Sequence, residues 1–375
     1  METLTIREVI TKKEMRQFIC LPWQVHRNNK AWMPPLYSDE WILFDPRKNK
    51  SFKHSDTVLY LAFRGKKPVG RVMGIINRLY NDIHNEQHGR FSFMECYEDQ
   101  EVVHALLQKI EQWAREKGMV KLVGPLGFSD KDPQGFVIEG FGYPQFLASA
   151  TNDPYLPEMV GREGYEKKVD LVNYLLPMPE KLPEVYERIL ARFNNNSPYR
   201  VKEFNTKKEL KPYIIPALDV MNQTYTEIYG FTPLDDQEKK ELADRYLPIL
   251  DPHFIKIIEH GDEVVAFAVA MPDPSEGIKK AGGKLLPFGI FHIIREIKRT
   301  KILLTMLGGI KTEHREQGID VLMAIKLYES AIKYGMKMVN SHLILETNTR
   351  MRGEFERVGG TVTKKFRIYQ KDLVR

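Results

Sequence analysis

Cysteine is nearly absent: Cys20 and Cys96 are the only two in 375 residues. Two cysteines build no disulfide framework and match no zinc-ligand spacing, so neither a stapled secreted scaffold nor a metal site is expected. No apolar run reaches the roughly 20 residues needed to span a bilayer. The opening METLTIREVITKKEM has no apolar signal core. A strong charge of one sign is missing too. Lysine and arginine total 56 against 50 acidic residues, a net charge of +6. That excess suits anionic ligands or a membrane surface better than a nucleic-acid tract, so nucleic acid is not an expected partner. The expected setting is cytoplasmic, with peripheral contact at the inner membrane face allowed. At 42% hydrophobic and 28% charged residues the chain reads as an ordinary folded protein, and its length favours two domains.

What is present is a repeated order of elements. Val58 to Phe63 and Val69 to Ile76 flank a turn at Gly65-Lys66-Lys67-Pro68, a hairpin signal. A strand at Phe91 to Cys96, a helix at Glu98 to Lys117 and a strand at Lys121 to Gly124 follow. The helix carries Val102, Leu106, Ile110 and Trp113 at helical spacing. The same order returns about two hundred residues later, as a hairpin over His260 to Glu263 and then a strand at Ile302 to Leu307. A helix at Glu316 to Tyr334 and a strand at Lys337 to Leu345 complete it. Val321, Ala324, Ile325, Tyr328 and Ile332 are the expected apolar face of that helix. Asn348 reads as the cap of a short last helix, and Thr361 to Lys371 as the closing strand. The segment from Asn28 to Asn49 reads as an ordered loop, and the domain boundary falls in Val169 to Lys181.

The centre of this pattern is ILLTMLGGIKTEHREQGID, Ile302 to Asp320. An apolar strand ends in Gly308-Gly309, and a helix opens after Arg315-Glu316-Gln317-Gly318. The first N–H groups of a helix have no partner within it, and the helix dipole is positive there. With glycines that let a ligand approach the backbone, and with Lys311, His314 and Arg315 as donors, this is a cradle for a diphosphate. In the first copy the equivalent turn, Glu95 to Glu101, has no glycine and four carboxylates, which repel a diphosphate.

This order, with the Arg-x-x-Gly loop, the Asn-capped short helix and Gly359-Gly360 before the last strand, resembles the GNAT (GCN5-related N-acetyltransferase) superfamily. Segments such as VGRVMGIINR, GPLGFSD, NDPYL, LLPFGIF and HREQGID are similar to a bacterial family of tandem GNAT-like acyl-CoA N-acyltransferases. The resemblance implies an α/β (α+β) fold of two GNAT-like domains with mixed sheets flanked by helices. Residues 1–175 would be a degenerate first domain, and 176–375 a second domain holding the acyl-CoA. It also implies that Arg315, Gln317 and Gly318 bind the pyrophosphate of acetyl-CoA or a longer acyl-CoA, a co-substrate used without a metal. Asp320 stands where the family usually has a small residue.

Acyl transfer to an amine needs an oriented thioester, an N–H donor for its carbonyl and a base for the amine proton. Backbone amides at Leu307, Gly308 and Gly309 are the expected donors. Glu346 and His342 alternate onto one face of the expected strand and are the candidate bases, Glu346 first; a core histidine is the alternative for His342. Asn348 is a candidate for the pantetheine amides or simply a cap. The expected acceptor groove lies between two aromatic- and glycine-rich loops. One carries Asn222, Tyr225 and Tyr229, the other Ser129, Asp130, Glu139 and Asn152.

The last feature is Lys284 to Lys301, a nearly continuous apolar band followed by Arg295, Lys298, Arg299 and Lys301. It reads as an interfacial helix touching a membrane, a lid over an acyl chain, or a helix packed between the halves. The expected function is N-acyl transfer to a primary amine, with a lipid or long-chain amine among the acceptors. Two alternatives stand beside it. One is a tandem-GNAT transferase using aminoacyl-tRNA, and the other a binding protein with a degenerate coenzyme site.

Overall fold

The computed structural model describes residues 2–147, 149–226 and 228–373. The first half runs β1 (Leu4–Glu8), α1 (Lys12–Val25), α2 (Tyr37–Leu43), β2 (Ser55–Arg64), β3 (Lys67–Asn77), α3 (Arg78–His84) and β4 (His88–Cys96). It continues with α4 (Gln100–Glu116), β5 (Lys121–Gly124), β6 (Phe136–Glu139), α5 (Tyr155–Arg162) and β7 (Glu166–Pro177). The second half opens with α6 (Glu184–Asn196), β8 (Tyr199–Lys202), α7 (Lys207–Thr224), α8 (Asp236–Tyr246), β9 (Ile255–His260) and β10 (Glu263–Pro272). Then come α9 (Ser275–Lys280), α10 (Gly289–Arg299), β11 (Ile302–Ile310), α11 (Ile319–Lys333), β12 (Met338–Asn340), β13 (Ile344–Leu345), α12 (Thr349–Arg357) and β14 (Thr361–Asp372).

One sheet carries both halves, in the order β1-β2-β3-β4-β5-β14-β7-β12-β11-β10-β9-β8. Within each half the strands are antiparallel except one pair, β4 with β5 and β11 with β12, which run parallel through the helices α4 and α11. That is the hairpin-strand-helix-strand order read from the sequence, twice. The last strand of each half then joins the other half: β7 pairs with β12, and β14 lies between β5 and β7. The boundary expected after residue 175 therefore falls within β7, a strand whose partners all come from the second half.

Local chemistry explains most elements. Thr11 caps α1 in a reciprocal box with Glu14. Asp99 caps α4, which buries Val102, Leu106 and Ile110 against the first half's sheet, with Trp113 half-covered. Several expectations change. Residues 37–43 of the expected loop are the helix α2. β11 does not stop at Gly308 but runs on to Ile310. The face of α11 is also shifted: Ile319, Leu322, Met323 and Ile325 are buried, while Val321 and Ala324 are exposed. That helix is apolar nearly all round, so spacing alone does not choose the face. The strand expected from Lys337 to Leu345 is broken, because Ser341, His342 and Leu343 lie between β12 and β13 in neither strand.

Phe366 of β14 is fully buried with Val123, Leu126 and Leu171, so it packs on both neighbouring strands of the exchange. Replacing Phe366 with alanine is expected to cost about 3–5 kcal/mol in urea unfolding. An unchanged midpoint would mean that β14 does not hold the two halves together.

Candidate active site

The two parallel pairs part company in both halves, with different results. In the first half β4 follows β5 only over His88–Arg90 against Lys121–Val123. The chain itself then closes the gap: the Leu126 amide donates to the Phe91 carbonyl at 3.0 Å, and Gly124 lies so close to Phe91 that a Cβ would sit 2.2 Å from its oxygen. The N-terminus of α4 is also taken. The Asp99 carboxylate accepts from the amides of Glu101 and Val102 and is held by Arg64 at 2.7 Å.

In the second half β11 and β12 pair only over Ile302–Leu304 and Met338–Asn340. A β-bulge then falls at Met306, where Val269 faces Leu307 and Ala270 faces Thr305. Beyond it the second segment turns away, and Ile344 and Leu345 pair with β7 instead. The resulting cleft is lined by Thr305, Met306, Asn340 and His342, and roofed by Phe146 and Leu147 from the first half. Its floor is a buried amide pair. Asn173 and Asn340 exchange hydrogen bonds of 3.0 Å in both directions, and Thr363 donates to Asn173 at 3.0 Å.

Past the bulge β11 runs on to Ile310, and the loop after it brings the chain to the start of α11. Gly318 is the N-cap, with φ of 74°, and no side chain caps the helix. Glu316 also has a positive φ, 63°, so the loop turns its backbone sharply just before the helix. Arg315 is exposed and donates to the Ile310 carbonyl at 3.3 Å. Gln317 is exposed beside it. Asp320 does not fold back over the helix start; Arg350 of α12 holds its carboxylate at 2.5 Å. Lys311 is tied to Glu263, and Asn348 caps α12 by accepting from the Met351 amide at 3.1 Å. The loop offers a diphosphate helix amides that no carboxylate caps, with Asp320 paired to Arg350, although Glu313 and Glu316 are exposed in the same loop.

The other sequence candidates divide. His342 lines the cleft; burial pushes its pKa below the ordinary histidine value, and the Asp130 carboxylate offsets this only in part. Glu346 lies outside the cleft. One of its oxygens accepts from Lys167 at 2.7 Å and the other from the Asp170 amide at 3.0 Å. The alternation that was to bring the two together fails with the broken strand. Tyr225 is buried, and its hydroxyl both receives the Gly308 amide (3.1 Å) and donates to the Gly308 carbonyl (3.0 Å), so it sits on β11 itself. Leu307 and Gly309 lie in β11 opposite Val269 and Phe267.

The two loops expected to form a groove do meet: Lys131 lies over the Phe231 ring at 4.9 Å, and Asn77 of β3 bridges them by donating to the Phe128 carbonyl at 2.9 Å and to Thr232 at 3.1 Å. Within them Asn222 closes its own loop through both the amide and the carbonyl of Leu234. Asn152 does the same for Val137, and the Ser129 hydroxyl accepts from the Lys131 amide. Tyr229 is half-buried and meets the Tyr80 ring edge-on at 6.2 Å. Arg350, Asn173 and Thr305 went unread in the sequence. Arg350 had one available signal, a cation in the first turn of α12 opposite an anomalous Asp320. Asn173 had none, because its place depends on the strand exchange.

A tandem GNAT protein from the clavulanic acid biosynthesis pathway matches 100% of this chain over 99% of its own, with a TM-score of 0.56 at 11% identity. The chain has a tandem GNAT fold. A GCN5-related N-acetyltransferase from Sphaerobacter thermophilus shares that GNAT fold over 99% of this chain and 96% of its own, with a TM-score of 0.53 at 11% identity. Among curated proteins, the bacterial ceramide synthase of Caulobacter vibrioides is 27% identical over 99% of this chain and 98% of its own. Protein YghO of Escherichia coli is 24% identical over 98% of this chain and 95% of its own. No family model matches the sequence.

The first half of this GNAT fold holds a different buried cluster. His26 lies 2.6 Å from Glu95 and 3.4 Å from Asp153 and stacks on Trp32. Burial alone would push its pKa down, but Glu95 and Asp153 outweigh it and hold it at about 9. A folded value above the ordinary 6.5 means that the protonated form is the one the fold favours. The stability this gives is whole below pH 6.5 and is lost as the pH rises through about 9. The stability gap between the native protein and His26→Gln is therefore expected to be widest near pH 6 and to narrow as the pH rises from 6.5 to about 9. Urea titrations across that range check it, and a gap that widens with pH would reverse the assignment.

Proposed function

We propose that the protein is an acyl-CoA-dependent N-acyltransferase that uses the cleft between β11 and β12 and acts on a primary amine. The observation that carries this reading is the parting of β11 from β12 beside a helix N-terminus that no side chain caps, where the first half's helix is capped by Asp99. The GNAT fold and the ceramide synthase name of one relative support acyl transfer as the class of chemistry. A ceramide is an N-acylated long-chain amine, so that name also favours a lipid amine over a soluble one.

Bound coenzyme would supply the acyl group as a thioester. The amides opening α11, with Arg315 and Gln317, would hold its diphosphate, and Arg350 keeps the Asp320 charge from opposing it. Thr305 and Met306 at the bulge turn β11 toward the cleft, where a backbone donor can meet a carbonyl. His342 is the residue in the cleft suited to take a proton from the amine. Its lowered pKa keeps it neutral, hence able to accept, at and above neutral pH. Glu346 is already spent on Lys167 and the backbone.

Arg315→Ala is expected to weaken acetyl-CoA binding by about 1.5–3 kcal/mol, the loss of a charge-assisted hydrogen bond. Calorimetric titration measures it, and an unchanged affinity would move the phosphate site elsewhere. His342→Gln is expected to lower kcat by roughly 10²–10⁴ with coenzyme affinity kept, while Glu346→Gln leaves kcat near native. Steady-state assays with an amine acceptor decide between them, and the opposite pattern would return the base to Glu346.

A further inference from the structure

The chain between β10 and β11 carries a surface that the acyl-transfer reading does not use. Leu286 is 80% exposed, Phe288 70%, Phe291 64% and Ile294 44%, four large apolar side chains within nine residues. The opposite face of α10 is occupied: Ile293 and Ile297 pack with Ile278, Met33, Leu36 and Leu147. So α10 is fixed to the body of the protein, and its outer face is what it presents to solvent. A patch of this kind marks a contact surface.

The charge around it is one-sided. Residues 275–301 hold seven lysines and arginines against two glutamates, a net +5 out of the whole chain's +6. Lys284, Arg295, Lys298, Arg299 and Lys301 are all exposed. One of the two glutamates, Glu296, is paired with Lys280 at 3.4 Å. The apolar groups sit at the turn before α10 and on its first turns, while Arg295, Lys298 and Arg299 follow on the same outer face toward its end. The buried core of a protein–protein interface is depleted of such charges. An apolar tip with a basic collar instead matches a bilayer surface, where acyl chains take the first and anionic headgroups the second.

We infer that α10 and the turn before it dock this protein on an anionic phospholipid surface. The tip Leu286, Phe288 and Phe291 enters the acyl boundary, and Arg295, Lys298 and Arg299 meet the headgroups. Docking of this kind stands apart from the catalytic reading, but its use rests on that reading. Leu147 packs under α10 and also lines the cleft with Phe146, Leu304 and Met306. An apolar wall thus runs from the docking face to the cleft, a route by which a membrane-borne amine or long acyl chain reaches the site.

Co-sedimentation with vesicles tests it, using equimolar phosphatidylcholine and phosphatidylglycerol against phosphatidylcholine alone. The native chain is expected to bind the anionic vesicles, to release with added salt and to leave the neutral ones. Phe288→Ser with Phe291→Ser, and separately Lys298→Glu with Arg299→Glu, should each lower that binding roughly tenfold or more. All four positions are exposed, so the melting temperature should not move. The inference is overturned if the native chain ignores both vesicles, or if either double variant binds as well as native. It is equally overturned if sedimentation velocity shows a dimer that Phe288→Ser with Phe291→Ser dissolves, since a second copy then covers the face. Acetyl-CoA affinity on the same samples is expected to be unaffected by either variant. Failure of the native chain to bind acetyl-CoA would end the acyl-transfer reading and leave the vesicle result standing.

Discussion

Two long strands, β7 and β14, hold the molecule together by belonging to the wrong halves. They pair with each other along most of their length, and each completes the sheet of the half it did not come from. Their contact is fixed by polar as well as apolar groups. Arg367 grips Asp170 with two bonds of 2.8 and 2.9 Å, and Thr363 reaches Asn173. Such a forked pair sets register as well as adding energy. Register matters here because a slip of one residue would turn Asn173 away from the cleft. The floor of the second half's cleft is thus a residue of the first half's last strand, and cleft and exchange form one structure.

The same architecture shows why two similar halves differ in chemistry. Both have a parallel pair that parts, and in both a helix follows the first strand of that pair. Asp99 decides the first case: a carboxylate satisfies the helix amides from within, so an anion there meets a like charge where it needs a donor. Gly318 decides the second, since a residue without a side chain leaves the amides to solvent or ligand. Asp320 brings a carboxylate close to this start, but Arg350 engages it from α12. Exposed ion pairs of this kind add little stability. Here the effect is local, because the pair cancels a charge beside the helix start.

Much of this was legible in residue order. The repeated hairpin-strand-helix-strand pattern comes from periodicity and turn chemistry, which are local and survive in one sequence. Gly318, Arg315 and the contrast with Glu95 to Glu101 were legible for the same reason. What failed was non-local. The broken strand around His342 depends on β7 drawing Ile344 and Leu345 away from β11, and no pattern within 337–345 records that pull. The sequence marks Glu346 by its place at a strand end, yet Lys167, nearly 180 residues earlier, claims it. Asn222 and Asn152 looked like isolated polar groups in binding loops. Each is spent on the backbone of its own surroundings, which is how a polar residue in a buried loop usually satisfies itself.

Tyr225 joins these threads. Its loop composition suggests the acceptor groove, but its hydroxyl takes both the amide and the carbonyl of Gly308. A strand that has lost its neighbour leaves such groups without partners, and buried backbone without partners is costly. Beyond Leu304 the second segment no longer pairs with β11, so a side chain from the end of α7 supplies the bond a strand would have made. Any ligand that lines this edge with an amide of its own must exchange with that hydroxyl. Its net gain is then the difference between two hydrogen-bonded states, far less than the worth of a bond made to a bare edge. Affinity in this cleft must therefore come mainly from the charged loop at Arg315 and the apolar wall at Leu147, at its two ends. The middle of the cleft contributes orientation, which is what acyl transfer most requires of it.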